Sequence, residues 1–144
     1  MTEASGAQRT PWHLWLVGVL ALLWNGFGAF DFTASFLRIE GYLANYPQAM
    51  VDWLFEMPAW MWAVWAIGTW GGFIGAVLLL LRNKLAVWAF AASLAGAAIS
   101  QLVSIIDPPP ADIGAPAALP WIIIAIAAGL LAYAVWLSRR GVLR

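Results

Sequence analysis

The chain has 144 residues, of which 64% are hydrophobic and only 10% are charged, and its net charge is zero. A soluble domain usually carries about 25% charged residues, so this composition predicts a single domain surrounded by lipid rather than water. The balanced charge argues against a nucleic-acid partner, and the absence of cysteine excludes disulfides, thiolate metal sites and a cysteine nucleophile.

Four apolar runs follow one another along the chain, each close to the roughly 20 residues that a membrane-spanning helix needs. The first follows Pro11 and the second follows Pro58, and proline favours the start of a helix. The third stops at Asp107 and the three prolines after it, which cannot continue a helix. These runs contain no Asp, Glu, Lys or Arg, and they predict spans over residues 12–30, 59–81, 85–106 and 119–137.

The connection between the first two spans, residues 31–57, is too long for a simple loop. Its apolar residues recur at spacings of three and four, which predicts an amphipathic helix that prolongs the first span or bends onto the membrane surface, ending at Pro47. These residues are Phe32, Phe36, Ile39, Leu43 and Tyr46. A second segment, residues 48–57, is either a lid over the helices or a gate or docking surface. We therefore expect an all-α transmembrane four-helix bundle with an amphipathic helical outer loop.

Charged residues are sorted between the two ends of this bundle. One end carries Glu3 and six of the seven basic residues, namely Arg9, Arg82, Lys84, Arg139, Arg140 and Arg144. The other end carries Arg38 and six acids, namely Asp31, Glu40, Asp52, Glu56, Asp107 and Asp112. Because loops rich in Lys and Arg stay in the cytoplasm, we expect a multi-pass protein of a bacterial inner membrane with both termini cytoplasmic.

Small residues recur at helical spacing in every span, and they are densest in the second. Two overlapping G-x-x-x-G patterns are formed there by Gly68, Gly71, Gly72 and Gly75. Such residues let helix backbones approach closely in lipid. They either pack the four helices of one protomer together or pair protomers into a homo-oligomer.

Polar side chains within the spans indicate a structural or functional role, because an unpaired polar group in hydrocarbon costs free energy. Asn25 in the first span and Gln101 in the third lie at matching depth below the acidic end, with Ser104 near Gln101. One hypothesis is a ligand pocket with these polar groups and with tryptophan walls formed by Trp24, Trp65 and Trp70. The alternative is a hydrogen bond between Asn25 and Gln101 that fixes the register of two helices.

Other site classes have weaker signals. The single histidine, His13, excludes a multi-histidine metal or haem site within one chain, so we expect no cofactor. Asp31 and Asp107 are weak candidates for a cation site at the acidic end. No pairing of acid, base and nucleophile is apparent, so we do not expect an enzyme.

Five segments resemble a family of small four-span bacterial inner-membrane proteins, whose members often carry the description sugar transporter. They are residues 11–15 (PWHLW), 24–31 (WNGFGAFD), 58–60 (PAW), 70–72 (WGG) and 139–144 (RRGVLR). The resemblance covers most of the chain and implies a four-span membrane fold.

The leading functional hypothesis is transport or binding of a small neutral polar solute such as a sugar, by a homo-oligomer in the bilayer. The first alternative is a non-transporting accessory or scaffold subunit of a larger membrane complex. The second is a lipid-binding or pigment-binding protein, in which mid-membrane tryptophans contact the ligand.

Overall fold

The computed structural model describes residues 9–111 and 115–144, so Glu3 and Asp112 lie outside the described residues. The helices are α1 (Trp12–Phe36), α2 (Glu40–Leu43), α3 (Gln48–Glu56), α4 (Ala59–Leu80), α5 (Leu85–Ile106) and α6 (Leu119–Arg139). Of these, α1, α4, α5 and α6 are long and apolar enough to cross a membrane. The prediction of an all-α fold with four spanning helices is confirmed.

The first helix is longer than its predicted span, because it continues from residue 30 to Phe36. It does not reach Pro47. The chain turns at Arg38, which has a positive φ of 54°. There the N–H groups of Arg38 and Ile39 donate to the carbonyls of Ser35 and Ala34, which is a Schellman helix end. The amphipathic stripe is therefore divided between α1, which runs on past residue 30, and the short α2, which follows the bend at Arg38.

The spanning helices are ordered α1, α4, α5, α6 in space, with antiparallel neighbours. Helix α4 packs against both α1 and α5, and α5 packs against α6. Small residues set the distance between α4 and α5, since a Cβ added at Gly96 would lie 2.7 Å from the backbone nitrogen of Gly68. Helices α1 and α6 are not packed together along their length.

We call the end of the bundle that carries the N-terminal residue of α1 and the α4–α5 turn the basic end. It is held together by backbone pairing, because Lys84 N–H donates to the Arg144 carbonyl (3.0 Å) and Arg144 N–H donates to the Arg82 carbonyl (2.7 Å). The Arg82 guanidinium also donates to the Thr10 hydroxyl at 2.7 Å. Three parts of the chain are thereby joined at this end.

The tightly packed core lies in the half of the bundle next to the basic end, which we call the basic half. It contains Leu14, Ala21, Ala76, Leu79, Ala86, Phe90, Leu130, Ala134, Leu137, Val142 and Leu143. The last two residues follow α6 and fold back under the helix ends, where they are 6% and 2% exposed. This half of the bundle is therefore closed.

The opposite end, which we call the acidic end, is partly covered by residues 40–56, which contain α2 and α3 and which we call the lid. Phe55 of the lid stacks on Trp62 of α4 with ring centroids 6.0 Å apart. The Arg38 guanidinium lies 4.2 Å from the centroid of the Phe55 ring, a cation–π contact that fixes α3 to the end of α1. The lid thus covers α1 and α4.

Candidate functional site

A cavity of about 450 Å³ lies in the acidic half of the bundle and is lined by all four spanning helices. Trp24 and Phe27 of α1 and Ile123 of α6 line it and are also 40%, 68% and 39% exposed. Because exposed residues of both helices border it, the cavity opens sideways between α1 and α6. Its volume lies within the roughly 300–1,000 Å³ that is typical of small-molecule sites.

Five of the six residues predicted for a ligand pocket line this one cavity. They are Trp24, Asn25, Trp65, Gln101 and Ser104. The sixth, Trp70, does not line it, because its indole N–H donates to the Thr33 hydroxyl at 3.2 Å, where the ring is 40% exposed. The structure therefore groups the amides and hydroxyl with two tryptophans and separates Trp70 from them.

The alternative role for the two amides was a hydrogen bond between Asn25 and Gln101. Among the described residues that bond is not formed, since Asn25 Nδ2 donates instead to the Ala21 carbonyl one turn back, at 2.8 Å. The side-chain oxygen of Asn25, Oδ1, lies against Gly72, because a Cβ added to Gly72 would be only 2.0 Å from it. Asn25 therefore fixes α1 against α4, and the Gln101 amide borders the cavity.

Hydroxyl groups add less polarity to the cavity than their number suggests. The Thr69 hydroxyl donates to the Trp65 carbonyl (3.0 Å), and the Ser104 hydroxyl donates to the Ser100 carbonyl (3.0 Å). The Ser93 hydroxyl donates to the Gly68 carbonyl of the neighbouring helix (2.6 Å). A hydroxyl that donates to its own helix or to a neighbouring helix has lost its donor for a ligand. The lining donors for which the described residues provide no partner are the Gln101 amide, the Ser100 hydroxyl and the indole N–H groups of Trp24 and Trp65.

The glycines of α4 all face other helices of the same chain. A Cβ added at Gly71 would lie 3.3 Å from the Ala89 carbonyl, and one at Gly75 would lie 2.8 Å from the Phe90 ring. Gly68 faces Gly96 and Ala97, and Gly72 faces Asn25 and Ser93. The geometry therefore assigns these glycines to packing within the protomer, and the face they form is not available to a second copy.

Sequence reasoning missed the contribution of α6 to the cavity. The lining residues from this helix are Leu119, Pro120, Ile123, Ile126 and Ala127. All of them are apolar, and an apolar residue in a span gives no signal that separates a cavity wall from a lipid-facing position. The result is a site with a more apolar lining than the sequence predicted.

Asp31 borders the cavity at the acidic end, and the lid approaches it there. Its Oδ1 accepts hydrogen bonds from the hydroxyls of Tyr42 (2.6 Å) and Tyr46 (2.9 Å). Burial raises the pKa of Tyr42 above its ordinary value, and the hydrogen bond to Asp31 raises it further. Burial likewise raises the pKa of Tyr46. Both phenols are therefore held neutral beside the carboxyl group.

A second, smaller cavity of about 70 Å³ lies beneath the lid. Asp31 and Trp65 line both cavities, and the remaining walls of the smaller one come from α1 and the lid. Asp31 is therefore the point where the lid, the small cavity and the main cavity meet.

The weak cation-site hypothesis joined Asp31 to Asp107. Asp107 is exposed at the end of α5 and does not line the main cavity. In the part of the chain that the structure describes, no three His, Cys, Asp or Glu side chains lie together as a metal site would require.

At the other end, the gap between α1 and α6 closes. His13 Nδ1 and the Tyr133 hydroxyl share a hydrogen bond of 2.5 Å, and the His13 ring lies 5.8 Å from Trp136. These contacts join the first turn of α1 to the last turns of α6. The two helices therefore meet at the basic end and separate toward the acidic end, where the cavity opens.

Comparison with known proteins gives no match to a protein-family model, to a curated protein or to a solved structure. The resemblance to small four-span inner-membrane proteins therefore stays a prediction. The structure shows a helical protein with four helices long and apolar enough to span a membrane, and a largely apolar cavity bordered by exposed residues of α1 and α6 in one half.

Proposed function

We propose that this membrane protein binds a small, largely apolar molecule that carries one or a few polar groups, within the cavity between α1 and α6. The observation that supports this proposal is the cavity itself, which is about 450 Å³ in volume and is bordered by exposed residues of α1 and α6. A ligand that enters from the membrane can reach it without crossing the lid. This proposal corresponds to the lipid-binding or pigment-binding alternative.

Binding of a sugar has less support from the geometry. A sugar presents hydroxyl groups around its whole ring, and a buried site must hydrogen-bond them to avoid leaving polar groups unpaired. Here three lining hydroxyls already donate to backbone carbonyls, and the α6 wall is entirely apolar. Transport of a neutral polar solute would also need a route through the closed basic half. It remains a prediction, as does the accessory-subunit alternative.

The proposal is tested by filling the cavity from one side of α6. Ala127 lines the cavity and is 9% exposed, whereas Ala125 on the same helix is exposed and does not line it. We expect Ala127→Trp to weaken binding of neopentylbenzene, a compact neutral probe, by about tenfold or more, since the indole occupies the volume the probe needs. Ala125→Trp is the matched control and should bind as the wild type does.

The measurement is saturable binding by calorimetry, with the full chain in lipid nanodiscs and empty nanodiscs subtracted. Equal binding by the wild type and Ala127→Trp would contradict the proposal, as would the absence of saturable binding of both neopentylbenzene and its charged isostere benzyltrimethylammonium by the wild type.

We also propose that the protein lies in a bacterial inner membrane with its basic end in the cytoplasm. The distribution of Lys and Arg supports this orientation. The chain has no cysteine, so single-cysteine variants report accessibility without background. A membrane-impermeant maleimide applied from the periplasm should label Asn45→Cys in the lid and leave Asn83→Cys at the basic end unlabelled. The reverse pattern would overturn the orientation.

A further inference from the structure

An acidic residue lies in the wall of a cavity within the membrane domain. Asp31 is on α1, five residues before Phe36, where the helix ends. The described residues that line the cavity include no Lys, Arg or His to neutralise it. Asp31 is partly buried, so its carboxyl group borders the cavity near the mouth at the acidic end.

The hydrogen bonds to Asp31 leave part of its carboxylate unoccupied. Tyr42 and Tyr46 both donate to Oδ1, and among the described residues no hydrogen bond reaches Oδ2. The tyrosines thereby fix the orientation of the carboxylate while they satisfy only one of its two oxygens. A carboxylate has about four acceptor positions, so a further partner can be accommodated.

The walls beside this carboxylate are aromatic. Trp24, Phe27 and Trp65 line the same cavity as Asp31. The face of an aromatic ring attracts a cation through its quadrupole, most strongly for tryptophan and where water is excluded. A carboxylate together with aromatic faces in a largely apolar cavity is the combination that favours an organic cation.

We propose that the cavity selects a hydrophobic organic cation, either an amine or a quaternary ammonium, whose charge pairs with Asp31 while its apolar body lies among Trp24, Phe27 and Trp65. The proposal rests on the proposed function, because it assigns the ligand class of the same cavity. It replaces the neutral polar solute of the sequence-based hypothesis, since the site contains a negative charge and few free hydrogen-bond donors.

The test compares two probes of nearly identical shape that differ in charge. Benzyltrimethylammonium is the cation, and neopentylbenzene is its neutral carbon isostere. In nanodiscs of zwitterionic lipid, we expect the wild-type protein to bind the cation about tenfold more tightly than the neutral probe. This comparison needs only the wild-type protein.

Two variants then locate the preference. Asp31→Asn retains an oxygen that can accept from the tyrosines but removes the charge, and we expect the affinity for the cation to fall about tenfold. Asp107→Asn removes an exposed carboxylate at the same end of the bundle and should leave the affinity for the cation unchanged. The melting temperature of each variant in the same nanodiscs shows whether it remains folded.

The outcomes separate this inference from the proposed function. If the wild type binds both probes equally, or if Asp31→Asn is folded and keeps the preference, the cation inference is overturned while the cavity remains a binding site. If neither probe binds, both proposals are overturned. If Asp31→Asn does not fold, the comparison of the two probes on the wild type decides alone.

Discussion

The basic half and the acidic half are built from the same four helices, but one is closed and the other contains a cavity. In the basic half, large side chains such as Leu14, Leu79 and Leu137 are fully buried between the helices. In the acidic half, many residues that line the cavity are small: Gly28, Gly68, Ser93, Ala97, Ser100 and Ala127. Small residues from all four helices thus border the cavity, whereas leucines fill the space between the helices in the basic half.

The two halves also differ in how α1 and α6 are joined. At the basic end, His13 and Tyr133 connect them, and Val142 and Leu143 fill the space beneath. At the acidic end, the described contacts of the lid are with α1 and α4.

The largest expected effect on stability comes from a substitution where α4 and α5 pack together, a contact that belongs to both halves. Gly96→Leu would place a Cβ 2.7 Å from the nitrogen and 2.9 Å from the Cα of Gly68, and backbone cannot move aside as a side chain can. We expect a loss of about 3 kcal/mol in unfolding free energy, or failure to fold. Gly129→Leu on α6, with nothing within 4 Å of its added Cβ, is the control and should be tolerated. The yield of monodisperse protein and the melting temperature are measured for both variants. Equal stability of the two variants would contradict a close contact between α4 and α5 at Gly96.

A second prediction contrasts the closed and open halves directly. Leu137 is 0% exposed in the core, whereas Ile123 is 39% exposed and borders the cavity. Truncating Leu137→Ala creates a new void and should cost about 2 kcal/mol, while Ile123→Ala enlarges an existing space and should cost less than about 1 kcal/mol. The unfolding free energies of the two variants are compared by titrating a denaturing detergent into mixed micelles that contain the protein. If Ile123→Ala were the more damaging, the acidic half would be packed more tightly than its geometry indicates.

The smallest effect concerns the lid at alkaline pH. The pKa of Tyr42 is raised in the folded protein above its ordinary value of 10.0, so the stability that its neutral phenol contributes is complete below about pH 10 and is lost as the pH rises further. We expect Tyr42→Phe to lower the unfolding free energy by about 1 kcal/mol at pH 8, and this difference from the wild type to shrink above pH 10.

The control for the lid prediction is Asn45→Ala, because Asn45 Nδ2 donates only to the carbonyls of Gly41 and Tyr42 within the lid. Its difference from the wild type should be the same at every pH. A Tyr42→Phe difference that grew with pH would reverse the assigned direction.

The sequence predicted the spanning helices well, because long apolar runs with charges only at their ends have few alternatives. Helix α5 matches its predicted range of 85–106, and α4 and α6 match theirs to within two residues. The sequence left open where α1 ends and the chain bends, because the turn depends on Arg38 adopting a left-handed conformation that glycine favours more than arginine does.

The candidate site was predictable only in its polar part. Asn25, Gln101 and Ser104 are conspicuous in apolar spans, and their depth along the helices brought them to one cavity. Depth alone does not fix the direction in which a residue faces, so Trp70 was grouped with them although it faces Thr33. The α6 wall carries no polar residue to mark it, and its position depends on helix packing that no single span encodes.

The hydroxyls that donate to backbone carbonyls have a consequence for what the cavity can hold. Apart from Asp31 at one end and a few free donors, the lining offers water few partners, so we expect hydrocarbon to fill most of the cavity. We therefore expect the ligand to displace the end of a lipid tail rather than a cluster of water molecules. Measured affinity should then vary with tail length and unsaturation, and a detergent with a flexible alkyl chain would act as a competitor.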